Sequence, residues 1–210
     1  MKITKFTHSC LLVEMSDRTV LFDPGVMSQP LLEKHTFVYL DDIAITHQHG
    51  DHMAIDFIIT LAEQFPEVRI TAPGDALKQL HEAGLTQATN QLPEGFTRFD
   101  APHEVVEPMF PTPEEIGYHY LGKLSHPGDS HHFTETSPIL ALPVTAPWGS
   151  TVKAVQLALE LKPKYIIPIH DWHWRDEARQ QTYDSLAQIF AKNGIEFVKA
   201  KDGEPFNLDV

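Results

Sequence analysis

The chain has 210 residues, with 16 Lys or Arg against 29 Asp or Glu, so its formal net charge is −13 when histidine is neutral. An acidic chain without a basic run argues against nucleic acid as a partner, because its phosphates would be repelled. No run approaches the ~20 apolar residues of a membrane-spanning helix, and the single cysteine, Cys10, excludes an intramolecular disulfide and fits a reducing compartment. We expect one cytoplasmic domain over residues 1–210 without membrane association, and the sequence leaves homo-oligomers open.

The N-terminal part of the chain is rich in β-forming residues. Apolar runs predict strands at Ile3–Phe6, Cys10–Met15, Thr19–Phe22, Ile43–Thr46 and Arg69–Thr71. Helical periodicity predicts helices at Met53–Phe65 and Ala76–Ala83, the second of which ends before Gly84.

The C-terminal part repeats this style. The predicted strands are Phe96–Asp100, Tyr118–Leu124, Ile139–Val144, Tyr165–Ile169 and Glu196–Lys199, and the predicted helices are Ser150–Leu161 and Asp176–Lys192. The Pro-rich stretch Glu107–Pro113 is interpreted as a surface loop. Two halves of this kind predict an α/β fold with two sheets face to face and helices outside.

The most informative segment follows the apolar run 43–45 and reads Thr46-His47-Gln48-His49-Gly50-Asp51-His52. Imidazole nitrogens and carboxylate oxygens are preferred ligands of Zn²⁺ and similar ions. A His-x-His pair leaving a strand can point both rings to one side, and Gly50 permits a turn that brings Asp51 and His52 back towards the same space. Because four donors in one loop exceed what one open catalytic site usually takes from a loop, the segment predicts a dinuclear centre.

Further candidate ligands occur where later β-runs end. His103 follows the strand Phe96–Asp100, Asp129 lies in the segment 125–130 after the next strand, and His170 ends the strand Tyr165–Ile169. Strand ends are places where a sheet scaffold can bring side chains together at one rim. We therefore expect these three residues to join the histidine-rich loop.

The chain resembles the metallo-β-lactamase superfamily in the order of its motifs, which is His47-x-His49-x-Asp51-His52, His103, Gly128-Asp129-Ser130 and His170. The resemblance implies a four-layer αβ/βα sandwich with the metal site at one edge of the two sheets. It implies that His47, His49 and His103 hold one metal ion and that Asp51, His52 and His170 hold the other, with Asp129 between them. Asp23 would support the metal loop by hydrogen bonding. On this assignment, loss of the Asp129 carboxylate is expected to weaken the second ion more, since the first keeps three imidazoles.

Within that superfamily the chain is most similar to the ascorbate-6-phosphate lactonase-like branch. The segments that carry this similarity are Thr7-His8-Ser9, Phe22-Asp23-Pro24 and 125–130. There His8 corresponds to a histidine near the metals, which makes it, with His126 and Trp148, a candidate for supporting the site or contacting substrate. His131, His132 and His173 are expected to be solvated. For anion recognition, the candidates by position are Lys123, Lys153 and Arg175.

Together these features predict a hydrolase with two divalent ions per chain, with Zn²⁺ as the expected metal and Mn²⁺ or iron as alternatives. A two-metal site can supply a metal-bound hydroxide near neutral pH, and Asp51 would orient the water and accept a proton as the catalytic residue. The expected substrate is a small molecule with an ester, lactone, thioester or phosphodiester bond, and the lactonase-like resemblance favours a small carbonyl substrate, with or without a phosphate group. The alternatives are a di-iron oxidoreductase or dioxygenase on the same fold, a non-enzymatic metal-binding protein and a nuclease, the last disfavoured by the negative charge.

Overall fold

The structure is a computed structural model that describes residues 1–210. Twelve strands form two six-stranded sheets. The strands are β1 (Lys2–Lys5), β2 (Leu11–Glu14), β3 (Thr19–Phe22), β4 (Asp42–Ala44), β5 (Arg69–Thr71), β6 (Phe96–Phe99), β7 (Gly117–Tyr120), β8 (Leu124–His126), β9 (Ile139–Pro143), β10 (Tyr165–Ile169), β11 (Glu196–Phe197) and β12 (Pro205–Asn207). The helices are α1 (Gln29–Leu32), α2 (Ile55–Gln64), α3 (Gly74–Glu82), α4 (Thr151–Leu161) and α5 (Asp176–Ala191).

The expected four-layer αβ/βα sandwich is confirmed. One sheet has the order β12-β1-β2-β3-β4-β5 and the other β11-β10-β9-β8-β7-β6. Successive residues of a strand point to opposite faces, so that Leu11 and Val13 enter the core between the sheets while Leu12 enters the core under the helices. A second helix-covered core joins the other sheet to α4 and α5. Both faces of each sheet are thus buried, which explains why the strands read as continuous apolar runs.

Strand directions bring several chain exits to the same edge. In the first sheet β3, β4 and β5 are parallel, and β1 runs in their direction because it is separated from β3 by the antiparallel β2. In the second sheet β8, β9 and β10 are parallel, and β6 runs with them across the antiparallel β7. The segments that follow these strands carry His8, Asp23, the histidine-rich loop, His103, Asp129 and His170.

Most predicted elements are present with small changes at their ends, but one prediction was wrong. The run 118–124 is two strands, β7 and β8, joined by a tight turn in which Leu121 and Gly122 have positive φ angles of 53° and 61°. Such a turn suits the twist of a hairpin, although Leu is an unusual residue for its first central position. The strand predicted to extend to Lys199 ends at Phe197, and α1 and β12 were not predicted.

None of the five helices is both long and apolar enough to cross a membrane.

Candidate metal centre

The structure brings the seven predicted ligands together with His8 at the shared edge of the two sheets. Their donor atoms form two groups, and within each group all donor atoms lie within 4.8 Å of one another. The groups are His47, His49, His103 and Asp129, and His8, Asp51, His52 and His170. In the first group His47 Nε2 lies 3.1 Å from His49 Nδ1. Both groups combine imidazoles with a carboxylate, a donor set suited to Zn²⁺ and other borderline ions.

Asp23 holds the histidine-rich loop in place from the end of β3. Its Oδ1 accepts a hydrogen bond from the backbone N–H of Thr46 at 2.8 Å, and its Oδ2 accepts one from the Thr46 hydroxyl at 2.7 Å. The same Oδ2 accepts a hydrogen bond from Nδ1 of His52 at 2.7 Å. The carboxylate therefore contacts both ends of the loop, as expected for a supporting residue.

Gly25 explains how the chain passes so close to this loop. A Cβ atom at position 25 would lie 1.7 Å from the carbonyl oxygen of Asp51 and 2.5 Å from the backbone nitrogen of His52. Because both neighbours are backbone atoms, they could not move aside without displacing the loop. Only glycine permits this approach.

Four imidazoles share one orientation: Nδ1 binds an oxygen of the protein and Nε2 points into the centre. Metal-binding histidines are usually fixed in this way, since the second ring nitrogen donates to a carbonyl or carboxylate and sets the tautomer. The four Nδ1 contacts are His47 to Glu115 Oε2 at 2.8 Å, His52 to Asp23 Oδ2 at 2.7 Å, His103 to the Glu104 carbonyl at 2.5 Å and His170 to the Thr145 carbonyl at 3.0 Å.

Asp129 lies between the two groups. Its Oδ1 is 3.0 Å from His52 Nε2, and its Oδ2 is 3.1 Å from His170 Nε2 and 3.6 Å from His103 Nε2. The Nε2 atoms of His52 and His103 and the Oδ1 atom of Asp129 are buried and form no hydrogen bond of suitable geometry, although His52 Nε2 and Asp129 Oδ1 are neighbours. Since buried polar atoms are normally paired, these unpartnered atoms fit a site built for cations.

His8 was predicted to support the site or contact substrate, and the structure places it among the donors of the second group. Its side chain is fully buried, neither ring nitrogen has a hydrogen-bond partner, and its Nε2 lies 3.1 Å from Asp51 Oδ2. The ring centroid is 4.1 Å from that of His170. Burying an imidazole without a hydrogen bond at either nitrogen is costly. Binding of a metal ion by His8 would account for its placement.

Backbone conformation at this edge is unusual. His8, Asp23 and His170 have positive φ angles of 72°, 45° and 63°, a region that residues other than glycine rarely adopt. Each follows a strand, and His8 and His170 contribute donors to the centre while Asp23 holds the loop. Strain of this kind tends to concentrate at functional sites, where the surrounding structure holds it.

The electrostatics favour the protonation states that metal binding requires, which are neutral imidazoles and ionised carboxylates. Burial lowers the pKa of His47 well below its usual value and brings the pKa of His8 to about 4. Burial alone would raise the pKa of Asp129, but the neighbouring His170 and His52 hold it well below the usual range. His52 is the exception, because Asp129 and Asp23 overcome the effect of burial and raise its pKa.

Glu115 is the main residue that the sequence analysis missed. Its side chain is fully buried, it contacts Nδ1 of His47 at 2.8 Å, and its oxygens accept hydrogen bonds from the backbone N–H of Asp129 at 3.0 and 3.1 Å. Burial, followed by the charge of Asp129, raises the pKa of its carboxyl group well above the usual value. One side chain thus orients donors from two separate segments. No local motif surrounds Glu115, so only the tertiary structure reveals it.

We predict that Glu115→Ala weakens metal binding by about 10–100-fold, the usual cost of removing an outer partner of a metal-binding histidine. The variant leaves the N–H of Asp129 without its acceptor and leaves Nδ1 of His47 only the Thr46 hydroxyl, at 3.1 Å. Competition with a chromophoric chelator measures the metal affinity, and Glu114→Ala, an exposed neighbour, is the matched control. Unchanged affinity in Glu115→Ala would show that the contact with His47 does not support the centre.

The remaining predicted residues have distinct surroundings. Trp148 donates from Nε1 to Asp129 Oδ2 at 3.2 Å and lines the cavity beside the centre. His126 is fully buried, donates from Nε2 to the Ser9 carbonyl at 2.8 Å and stacks on Phe22, so its contacts are structural.

Of the three histidines expected to be solvated, His132 and His173 are exposed, but His131 is not. The prediction for His131 was wrong because its Nε2 donates to the Pro143 carbonyl at 2.7 Å and its ring packs on Trp148. It is not a member of either donor group.

Solved structures with this architecture include Igni18, a metallo hydrolase from Ignicoccus hospitalis, which has a TM-score of 0.71 and 17% identity over 99% of both chains. CmlA, a diiron β-hydroxylase from Streptomyces venezuelae, has a TM-score of 0.68 and 13% identity, over 99% of this chain and 54% of that one. At such identities the likeness shows the fold alone, and the two proteins are described as carrying out different chemistries.

Sequence comparisons are more specific. Protein Rv0786c of Mycobacterium tuberculosis is 32% identical over 90% of this chain and 92% of its own length. A UPF0173 metal-dependent hydrolase of Anoxybacillus flavithermus is 28% identical over 81% of this chain and 85% of its own length. The family model described as a beta-lactamase superfamily domain matches residues 2–170, which include both donor groups. With the fold and the histidine-rich motif, this match shows that the chain belongs to the metallo-β-lactamase superfamily.

Proposed function

We propose that the protein is a metal-dependent hydrolase with a dinuclear centre, acting on an ester, lactone, thioester or phosphodiester bond of a small molecule. The observation that carries the proposal is the set of imidazoles anchored through Nδ1, with Nε2 directed to a shared space around Asp129. Family membership and the metal-dependent hydrolase among its relatives support the same reading.

In this proposal one ion is held by His47, His49 and His103, and the other by Asp51, His52 and His170, with Asp129 shared between them. The second donor group also contains His8, which we add as a fourth ligand. Zn²⁺ is the expected ion, because imidazole-rich sites with carboxylates suit it, although the same donors accept Mn²⁺ or iron. Bound ions would supply an activated water and polarise the scissile group.

The residues of the chain then position the water molecule and receive its proton. Asp51 is the donor that also lines the cavity with a partly exposed side chain, and its Oδ2 lies between His8 and His170 at 3.1 and 4.0 Å. It can orient a water molecule and accept a proton on its carboxylate. Trp148 fixes Asp129 by its N–H donor and covers one side of the cavity.

We predict two metal ions per chain after reconstitution with Zn²⁺. The measurement is elemental analysis of purified protein, with anomalous diffraction at the metal edge to locate each ion. A single well-occupied ion under metal-replete conditions would contradict the dinuclear proposal. The same preparation, assayed on lactone, thioester, ester and phosphodiester substrates, tests hydrolysis directly.

The main alternative is a di-iron oxidoreductase, supported only by fold neighbours such as CmlA. An iron-loaded preparation that consumes oxygen and hydrolyses nothing would favour it. A non-enzymatic metal-binding protein would bind both ions and show neither activity. The ascorbate-6-phosphate lactonase-like branch stays a narrower proposal, which the substrate panel addresses through its lactones.

A further inference from the structure

The cavity beside the metal centre has a composition that bears on its substrate. It has a volume of about 320 Å³ and eleven lining residues, five of which are candidate metal ligands. The other six are Gly50, Val106, Met109, Phe110, Pro147 and Trp148. The volume is at the small end of the range for ligand sites, and apart from the ligands the wall is glycine, proline and apolar side chains.

No Lys or Arg lines this cavity. The three cations that the sequence offered for anion recognition, Lys123, Lys153 and Arg175, all lie outside it. A phosphate arm lying against these walls, away from the ions proposed for the centre, would lose water without gaining a cationic side chain, in a protein whose net charge is −13. Phosphate recognition usually depends on Arg or Lys contacts. The walls therefore disfavour a phosphorylated arm.

Apolar side chains flank the donor groups on two sides. On one side, the Phe110 ring lies 6.5 Å from that of His49, and Met109 and Phe110 are 66% and 58% exposed. On the other side, the Trp148 ring lies 5.2 Å from that of His170. Large exposed apolar side chains grouped around a polar centre are typical of a binding site rather than of ordinary surface.

We infer that the substrate is an uncharged ester, thioester or lactone whose apolar arm rests on Met109 and Phe110. This inference rests on the proposed hydrolase function and narrows it. In the reaction, water oxygen bonds to the carbonyl carbon, the carbon–oxygen or carbon–sulfur bond breaks, and the leaving alkoxide or thiolate takes a proton. Water is the only co-reactant.

The test uses the Zn²⁺-loaded full chain and p-nitrophenyl esters from acetate to octanoate, with mono-p-nitrophenyl glutarate, an ester whose arm ends in a carboxylate, alongside. A methylene buried against apolar side chains favours binding by up to about fourfold, so kcat/KM is expected to rise about two- to fourfold per added methylene until the arm leaves the cavity. The ester with the anionic arm is expected to react at least about tenfold more slowly than the pentanoate ester, which has an arm of similar length.

Phe110→Ala and Met109→Ala are expected to flatten the dependence on chain length, so that longer esters lose more than acetate. The matched control is Tyr39→Ala, which removes an aromatic ring that is 72% exposed before β4, at the opposite edge of the sheet. It is expected to keep the wild-type dependence. A flat dependence in the wild type, turnover of the glutarate ester as fast as that of the pentanoate ester, or equal effects of Phe110→Ala and Tyr39→Ala would overturn the inference.

Absence of all hydrolysis would instead reject the proposed function, and the cavity is then tested by binding. Acetate, butanoate, hexanoate and octanoate are titrated against the metal-loaded protein while tryptophan fluorescence is followed. Affinity that rises with chain length in the wild type, and less in Phe110→Ala, supports an apolar site. Affinity independent of chain length overturns it.

Discussion

Replacing Asp51 with Ala is expected to reduce the turnover of any hydrolysed substrate by about 10²–10⁴-fold, the range for loss of a positioned proton acceptor. The residue belongs to the second donor group and also faces the cavity, where its side chain is 29% exposed. Catalytic turnover should therefore fall more than folding stability. Thermal unfolding of the metal-free protein is expected to change little, because a partly exposed carboxylate contributes little to the core.

The matched control for Asp51→Ala is Asp56→Ala, which removes an exposed carboxylate from the first turn of α2, a few residues further along the chain. It should leave kcat and the melting temperature unchanged. If Asp51→Ala loses stability in the metal-free protein in parallel with its loss of activity, the residue has a structural role and the proton-accepting assignment is wrong.

The arrangement of the centre could be predicted from the sequence where the information is local. A His-x-His pair after a strand predicted that His47 and His49 share one side, although both lie in the loop beyond β4, and a turn at Gly50 predicted the return of Asp51 and His52 to the same space. His103, Asp129 and His170 could be associated with them because each follows a predicted strand. The structure supplies the reason for their meeting, which is that the strands before them all run towards one edge.

Features that depend on contacts between distant segments could not be predicted. Glu115 joins His47 to Asp129 through a buried carboxylate with no motif around it. Strand β12 completes the first sheet by pairing with β1, which lies at the other end of the chain. No local sequence pattern therefore predicts it. The Pro-rich loop around Phe110 was correctly placed outside the sheets, but its role as a cavity wall follows from the position of the histidines opposite it.

The position of His8 also changes the expected consequence of removing the Asp129 charge. On the sequence alone, the first ion keeps three imidazole ligands, so the affinity for the second ion was expected to fall more. In the structure the second group retains the Asp51 carboxylate and His8, whereas the first group has no carboxylate besides Asp129. Because an anionic ligand contributes more than a neutral one to holding a divalent cation, the order should reverse.

Asp129→Asn is therefore expected to weaken the ion held by His47, His49 and His103 by about 10²-fold or more, beyond the usual cost of losing an outer partner. The amide keeps the shape of the carboxylate but has one neutral oxygen and one NH₂ group, so only one of the two positions held by Oδ1 and Oδ2 still offers an acceptor. Repulsion between the ions would also increase. Chelator competition gives both affinities, and Asp75→Asn, an exposed change in α3, is the control. If Asp129→Asn binds two ions as tightly as the wild type and keeps full turnover, Asp129 is not shared between the ions, and the unpaired Nδ1 of His131 becomes the next donor to test.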